Sequence, residues 1–244
     1  MQILEINGGK FRADTLVEKF VGYGLIPQLV REMTLDRCTS EITITPEEQE
    51  LASQQVYQKL GLDTDEKREL WLKLQGLTAA QLESKAIREV KLVKFKQTTW
   101  GNKVNSAFLE RKQQLDRVIY ALLCTKDFAI AQELYFRIKE GEQSFDELAR
   151  EYSQGPEAQT GGLIGPVEIG AIHPTLAKML IASDVGQLQP PTVIGELIVL
   201  VRLERLLPVT LDRPMQQRLI EESFDKWLKE SVAQQMATLK IHSS

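Results

Sequence analysis

The sequence predicts an α+β fold: a helical bundle from about residue 11 to 115, completed by a helix from about 212, around an inserted unit that carries strands. Three observations carry this reading. Ser144 and Glu147 have capping-box spacing, and Phe145, Leu148, Ala149 and Tyr152 then recur at three- and four-residue intervals, so a helix starts at Ser144. The apolar runs Val118–Leu123 and Leu197–Leu203 have strand length, and the continuous LIVLV of the second suits a central strand covered on both faces. Between Asp212 and Gln235, Met215, Leu219, Phe224, Trp227, Leu228 and Val232 fall on one helical stripe, which needs a partner to cover it.

The remaining elements follow in order. Met1–Asn7 alternates like a short strand and runs into Gly8, Gly9 and Lys10. Gly22 and Gly24, between Phe20 and Leu25, make either an ordinary turn or a hinge through which two copies exchange their first helices to form a homodimer. Thr45 with Pro46 and Glu48, and Thr78 with Gln81, mark helix starts. Leu82, Ala86, Val90 and Val93 form a second apolar stripe. Pro214 falls in a first helical turn, where its missing donor costs nothing, and the last helix is expected to pack among the early ones. Gly155, Pro156, Gly161, Gly162 and Gly165 end the helix that begins at Ser144 and open a loop. Gln187–Pro191 should lead into a sheet edge, where prolines are tolerated.

Composition narrows the function classes. At 244 residues with 43% hydrophobic content, two folded units are expected. A net charge of -4 and a pI near 5.5 provide no global attraction to nucleic acid or anionic lipid. Lys91, Lys94 and Lys96 read as a solvated helix face rather than a phosphate site. Cys38 and Cys124 are too few for a disulfide framework or a zinc site, and nothing in the sequence demands a bridge between them. With only His173 and His242, and no HxxH or CxxC, neither a metal nor a cofactor is expected. The amino terminus lacks the features of a secretory signal, and no apolar run reaches the ~20 residues of a membrane span. The chain as written is therefore expected in the cytoplasm.

Six segments stand in an order that resembles the parvulin-type prolyl isomerases: RVIYALLCT from Arg117, AQELYFRIKEG from Ala131, SFDELAREYSQGPEAQTGGLIG from Ser144, GAIHPTLAKML from Gly170, DVGQLQPP from Asp184 and IGELIVLVRLERL from Ile194. The resemblance implies a parvulin domain over residues 116–207 with a four-stranded antiparallel sheet. The flanks, 1–115 plus 208–244, resemble the helical domain of SurA-like chaperones, and the WLKLQGL, FKQTTWG and LDRVIYALL stretches are similar to cyanobacterial SurA-like prolyl isomerases. SurA-like proteins are exported, so the periplasm is the alternative compartment. Implied partners are unfolded or proline-containing polypeptides.

The parvulin toolkit is a pair of histidines, a loop cysteine or aspartate, and an apolar proline pocket. In this chain Tyr120 stands at the first histidine and one of Leu197–Val199 at the second. Gly155 stands at the loop cysteine or aspartate, and Leu163 replaces the aspartate of G-G-D-L-G. Ile172 and Leu176 take the pocket positions, with Met179 and His173 close by. His173 is either catalytic or a helix cap before Pro174. Four polar positions are thus lost while the apolar pair is kept, which implies a chaperone with a degenerate isomerase domain, weak or absent in turnover; a fully active isomerase and a non-catalytic adaptor in a secretion or maturation pathway are the alternatives. Trp71, Trp100, Tyr57 and Phe108 either fill the helical core or line a client-binding surface.

Overall fold

The computed structural model describes residues 4–6, 9–11 and 13–240. In chain order it has β1 (Leu4–Ile6), β2 (Gly9–Phe11), α1 (Ala13–Gly22), α2 (Ile26–Thr39), α3 (Pro46–Lys59), α4 (Asp65–Gln75), α5 (Ala79–Trp100) and α6 (Val104–Leu115). Then follow β3 (Arg117–Thr125), α7 (Phe128–Lys139), α8 (Phe145–Tyr152), β4 (Leu163–Glu168), α9 (Pro174–Ile181), β5 (Thr192–Ile194), β6 (Leu197–Leu207) and α10 (Arg213–Thr238). The chain divides into two compact units, Asn105–Asp212 and the two segments that flank it.

In the helical unit the capping signals place the helix starts. Thr45 and Glu48 form a capping box at α3, and Thr78 and Gln81 form another at α5, each satisfying free amides of the first turn. Leu35 of α2 and Phe224 and Leu228 of α10 make a buried cluster, with Leu92, Phe95, Trp100 and Trp227 packed on it. The ring of Trp100 stands edge-on to Phe95 at 5.6 Å and to Phe224 at 5.9 Å. Trp100 is therefore a core residue; Trp71 and Tyr57 are half-buried, and the Arg68 guanidinium lies 4.3 Å from the Tyr57 ring centre.

Two of the three lysines, read from the sequence as a solvated face, tie helices together. Lys94 pairs with Glu48 of α3 at 2.5 Å, and Lys96 pairs with Glu221 of α10 at 2.5 Å while lying 4.3 Å over the Phe224 ring. Of the stripe on α5, Leu82 and Ala86 are buried as expected, but Val93 is 60% exposed. On α10, Leu219, Phe224 and Leu228 are buried as the periodicity requires, and Ile220 joins them.

In the second unit the strand order is β4-β3-β6-β5 with every pairing antiparallel. The two central strands are the two apolar runs of the sequence. Alternation divides their side chains: Ala121, Leu123 and Leu200 meet α7 and α8 on one face, whereas Tyr120, Cys124, Val199 and Leu203 meet α9 on the other. Pro190 and Pro191 immediately precede β5, the edge strand, where an absent ladder donor is tolerated. Phe108 is buried on α6, which falls in this unit from Asn105 onward.

Candidate functional site

The α9 face of the sheet holds the candidate site. The register sets Tyr120 opposite Leu203 on β6 and Ile164 on β4, and sets Cys124 opposite Val199. Of the three positions 197–199, Ile198 belongs to the other face, while Leu197 and Val199 join the cluster that contains Tyr120. Val199 is 3% exposed and Leu197 partly buried, so this face presents aliphatic carbon and a phenol ring beside Cys124. Ile172 and Met179 pack from the α9 side as partly buried residues, with Leu176 buried beneath them. Ile172, Met179, Ile194 and Leu197, each partly buried, thus form with buried Leu176 an apolar patch, hereafter the slot.

The other expected site residues are placed elsewhere. Leu163 pairs with Ala121, so it lies on the opposite side of the sheet, and it is 52% exposed. His173 caps α9: its Nδ1 accepts the Thr175 amide at 3.3 Å, and its side chain is exposed. That geometry is the cap of the two readings of His173.

Gly155 begins the short 3-10 turn Pro156–Thr160 in an extended conformation. The loop is laid tightly on β3. Leu122 donates its amide to the Gly162 carbonyl at 2.9 Å, Gln154 donates to the Cys124 carbonyl at 2.9 Å, and Cys124 donates to Ser153 Oγ at 2.9 Å. Gly162 has φ of +85°, and a Cβ there would stand 2.7 Å from the Leu122 carbonyl oxygen, so two independent constraints demand glycine.

The loop also brings in a group that the sequence reading did not count. Glu157 is only 7% exposed and accepts a hydrogen bond from Ser153 Oγ. Its carboxylate fills the space that a side chain on Gly155 would occupy. The aligned position, Gly155, carries no side chain, and the carboxylate that fills its space comes from two residues further on. The signal for it was the pair itself, a glycine followed at i+2 by an acid inside a turn.

Burial first, then the Glu157 charge and a hydrogen bond to it, push the Cys124 thiol up to about 12. Burial, with Cys124 and Glu157 nearby, also raises the Tyr120 hydroxyl. Both groups are therefore held in their neutral forms as donors, and Cys124 is not poised as a nucleophile. Among the described residues no cluster suited to a metal ion occurs.

Residues 125–205 match the Rotamase family, the PPIC-type PPIASE domain. This unit is a parvulin-type rotamase domain. The helical frame around it also has counterparts of known structure: PrsA peptidylprolyl isomerase of Bacillus cereus aligns with 99% of this chain and 93% of its own, at 17% identity and a TM-score of 0.54. PrsA of Bacillus anthracis aligns with 88% and 100% of the two chains, at 19% identity and a TM-score of 0.50. The expected α+β architecture, a rotamase domain within a helical chain, is the fold shared with these proteins. In sequence, NifM of Azotobacter chroococcum mcd 1, assigned by name to the peptidyl-prolyl cis-trans isomerases, is 35% identical over 115 residues. That match covers 43% of this chain and 39% of NifM.

Proposed function

We propose that this protein is a foldase-type chaperone whose rotamase domain grips proline-containing segments of unfolded polypeptides and turns them over weakly. The observation that carries the reading is the apolar patch itself: Ile172, Leu176, Met179 and Leu197 are apolar, while Tyr120 stands where the resemblance puts one imidazole and one of Leu197–Val199 where it puts the other. Rotation about a prolyl bond proceeds through a twisted amide that has lost its resonance. An apolar enclosure favours that less polar state without a nucleophile, so a slot with no imidazole retains some rate. The missing donors should still lower it: removing one preorganised donor from an enzyme typically reduces turnover by about 10²–10³.

A protease-coupled proline-peptide assay tests the reading directly. The expected result is a rate well below that of ordinary parvulins together with saturable peptide binding by the whole protein. Full parvulin-level turnover would overturn the degenerate reading, and failure to bind any proline peptide or to slow aggregation of an unfolded client would overturn the chaperone reading.

A further inference from the structure

A phenol ring taken into an apolar cluster brings a hydroxyl whose hydration has to be replaced, and a buried tyrosine usually finds a partner for it. Tyr120 has a buried ring, 6% exposed in the cluster that includes α9, yet among the described residues no hydrogen bond reaches its oxygen. No fully buried side-chain oxygen or nitrogen of the described residues lacks a partner, so the Tyr120 oxygen stands open to solvent. Phenylalanine would supply the same ring without a hydroxyl to satisfy. Only two side chains of this cluster carry a hydrogen-bond donor, Tyr120 and Cys124, and Cys124 is engaged by Glu157. The Tyr120 hydroxyl is thus the uncommitted donor of a cluster against which Ile172, Met179, Ile194 and Leu197 of the slot are packed.

Burial, with Cys124 and Glu157 nearby, raises this hydroxyl above its ordinary 10.0, so it holds its proton at neutral pH and can donate it in a hydrogen bond. In a planar prolyl amide the nitrogen lone pair is shared with the carbonyl, and in the twisted state it returns to the nitrogen. A donor at the nitrogen therefore acts more strongly in the transition state than in the ground state, which is the condition for catalysis. A donor on the carbonyl oxygen would instead hold the planar form. We propose that Tyr120 is a catalytic residue: its hydroxyl donates a hydrogen bond to the prolyl nitrogen of a polypeptide held on the slot and so sustains the weak turnover. The proton stays on the phenol oxygen, and no covalent bond forms or breaks.

This rests on the slot being a proline-peptide site, and the two ideas fail differently. Exchange NMR on a proline peptide at equilibrium gives the cis–trans rate, and fluorescence anisotropy with the labelled peptide gives its affinity, each for the full-length protein and for Tyr120→Phe, which keeps the ring. Expected is a rate lowered about 10-fold in the variant, the factor of one hydrogen bond, with affinity unchanged to within about 2-fold. Equal rates in the two proteins, a parallel fall in rate and affinity, or a wild type that binds without turnover overturns Tyr120 as the donor and leaves the slot intact. A wild type that binds no proline peptide overturns both. A second measurement needs no variant to fold: with tyrosine carrying ¹³C at Cζ, saturating peptide should move the Tyr120 signal and leave that of Tyr135, packed against the opposite face of the sheet, in place. A Tyr120 signal that stays put under saturation overturns the contact.

Discussion

The Glu157 carboxylate stands where a side chain on Gly155 would stand, so the two positions compete for one volume. Restoring an acid at the aligned position should therefore harm the protein. Gly155→Asp would press two carboxylates together in a site 7% exposed at Glu157, and like charges that close do not both ionise without penalty. We expect the single substitution to lower stability by about 1–3 kcal/mol, within the range for an overpacked buried site. Pairing it with Glu157→Ala should recover most of that loss. Urea denaturation of both singles and the double gives the coupling directly; additive effects would show that the two residues do not share the space.

A buried thiol held up at about 12, from an ordinary 9.0, makes two measurable statements. Cys124 should react slowly with iodoacetamide at pH 8 in the native protein and rapidly after unfolding, the rate following its thiolate fraction and access. The sign for stability is also fixed. Its folded value lies above its unfolded one, so the contribution is full below about 9 and is lost as pH rises through the folded value near 12. Tyr120, raised in the same way, adds to alkaline loss in the same direction. The midpoint of urea unfolding should fall between pH 9 and 11 more steeply in wild type than in Cys124→Ala.

Much of this arrangement was legible in the chain because its signals are local. Ser144 with Glu147, Thr45 with Glu48 and Thr78 with Gln81 each close a capping box with partners three residues apart, and no tertiary information is needed to see that. The central strands were legible because they are apolar on both faces. What escaped was set by register and by chain reversal. Leu163 was counted among the site residues from its motif position, but pairing with Ala121 turns it to the far face, and a single-residue change of register is enough for that. Glu157 was one acid among 34, and only the turn at Pro156–Thr160 carries it inward. Val93 satisfied the helical period yet stays exposed, because periodicity marks a face without saying how far the neighbouring helices extend along it.

Ile172 and His173 are adjacent and should separate cleanly on mutation. Ile172 is partly buried against the slot cluster, so Ile172→Ala should weaken proline-peptide binding about 5- to 10-fold, in proportion to the apolar area it withdraws. His173 accepts the Thr175 amide as the cap of α9. His173→Ala should therefore destabilise by about 0.5–1 kcal/mol and leave peptide affinity unchanged. A large loss of turnover in His173→Ala with stability preserved would instead assign the imidazole a chemical part.

The helical unit offers a sharper contrast between two residues that look alike in sequence, each apolar and each on a periodic stripe. Phe224 is 3% exposed, touches the edge of Trp100 at 5.9 Å and carries the Lys96 ammonium over its ring at 4.3 Å. Phe224→Ala removes ring contacts and leaves a cavity beside α2 and α5, which places the expected loss at about 3–5 kcal/mol. Val93, 60% exposed on α5, has little to lose: Val93→Ser should stay within about 0.5 kcal/mol. Lys96→Ala tests the remaining tie. Its ammonium is 2.5 Å from Glu221 and its side chain is only 13% exposed, so removing it should cost more than the 0.2–1 kcal/mol or so typical of exposed pairs, because the aromatic contact goes with it. Tryptophan fluorescence during urea unfolding reports all three, since Trp100 and Trp227 lie in the same cluster. If Lys96→Ala and Val93→Ser shift the midpoint equally, the lysine is a surface charge and not the clamp between α5 and α10 that its geometry describes.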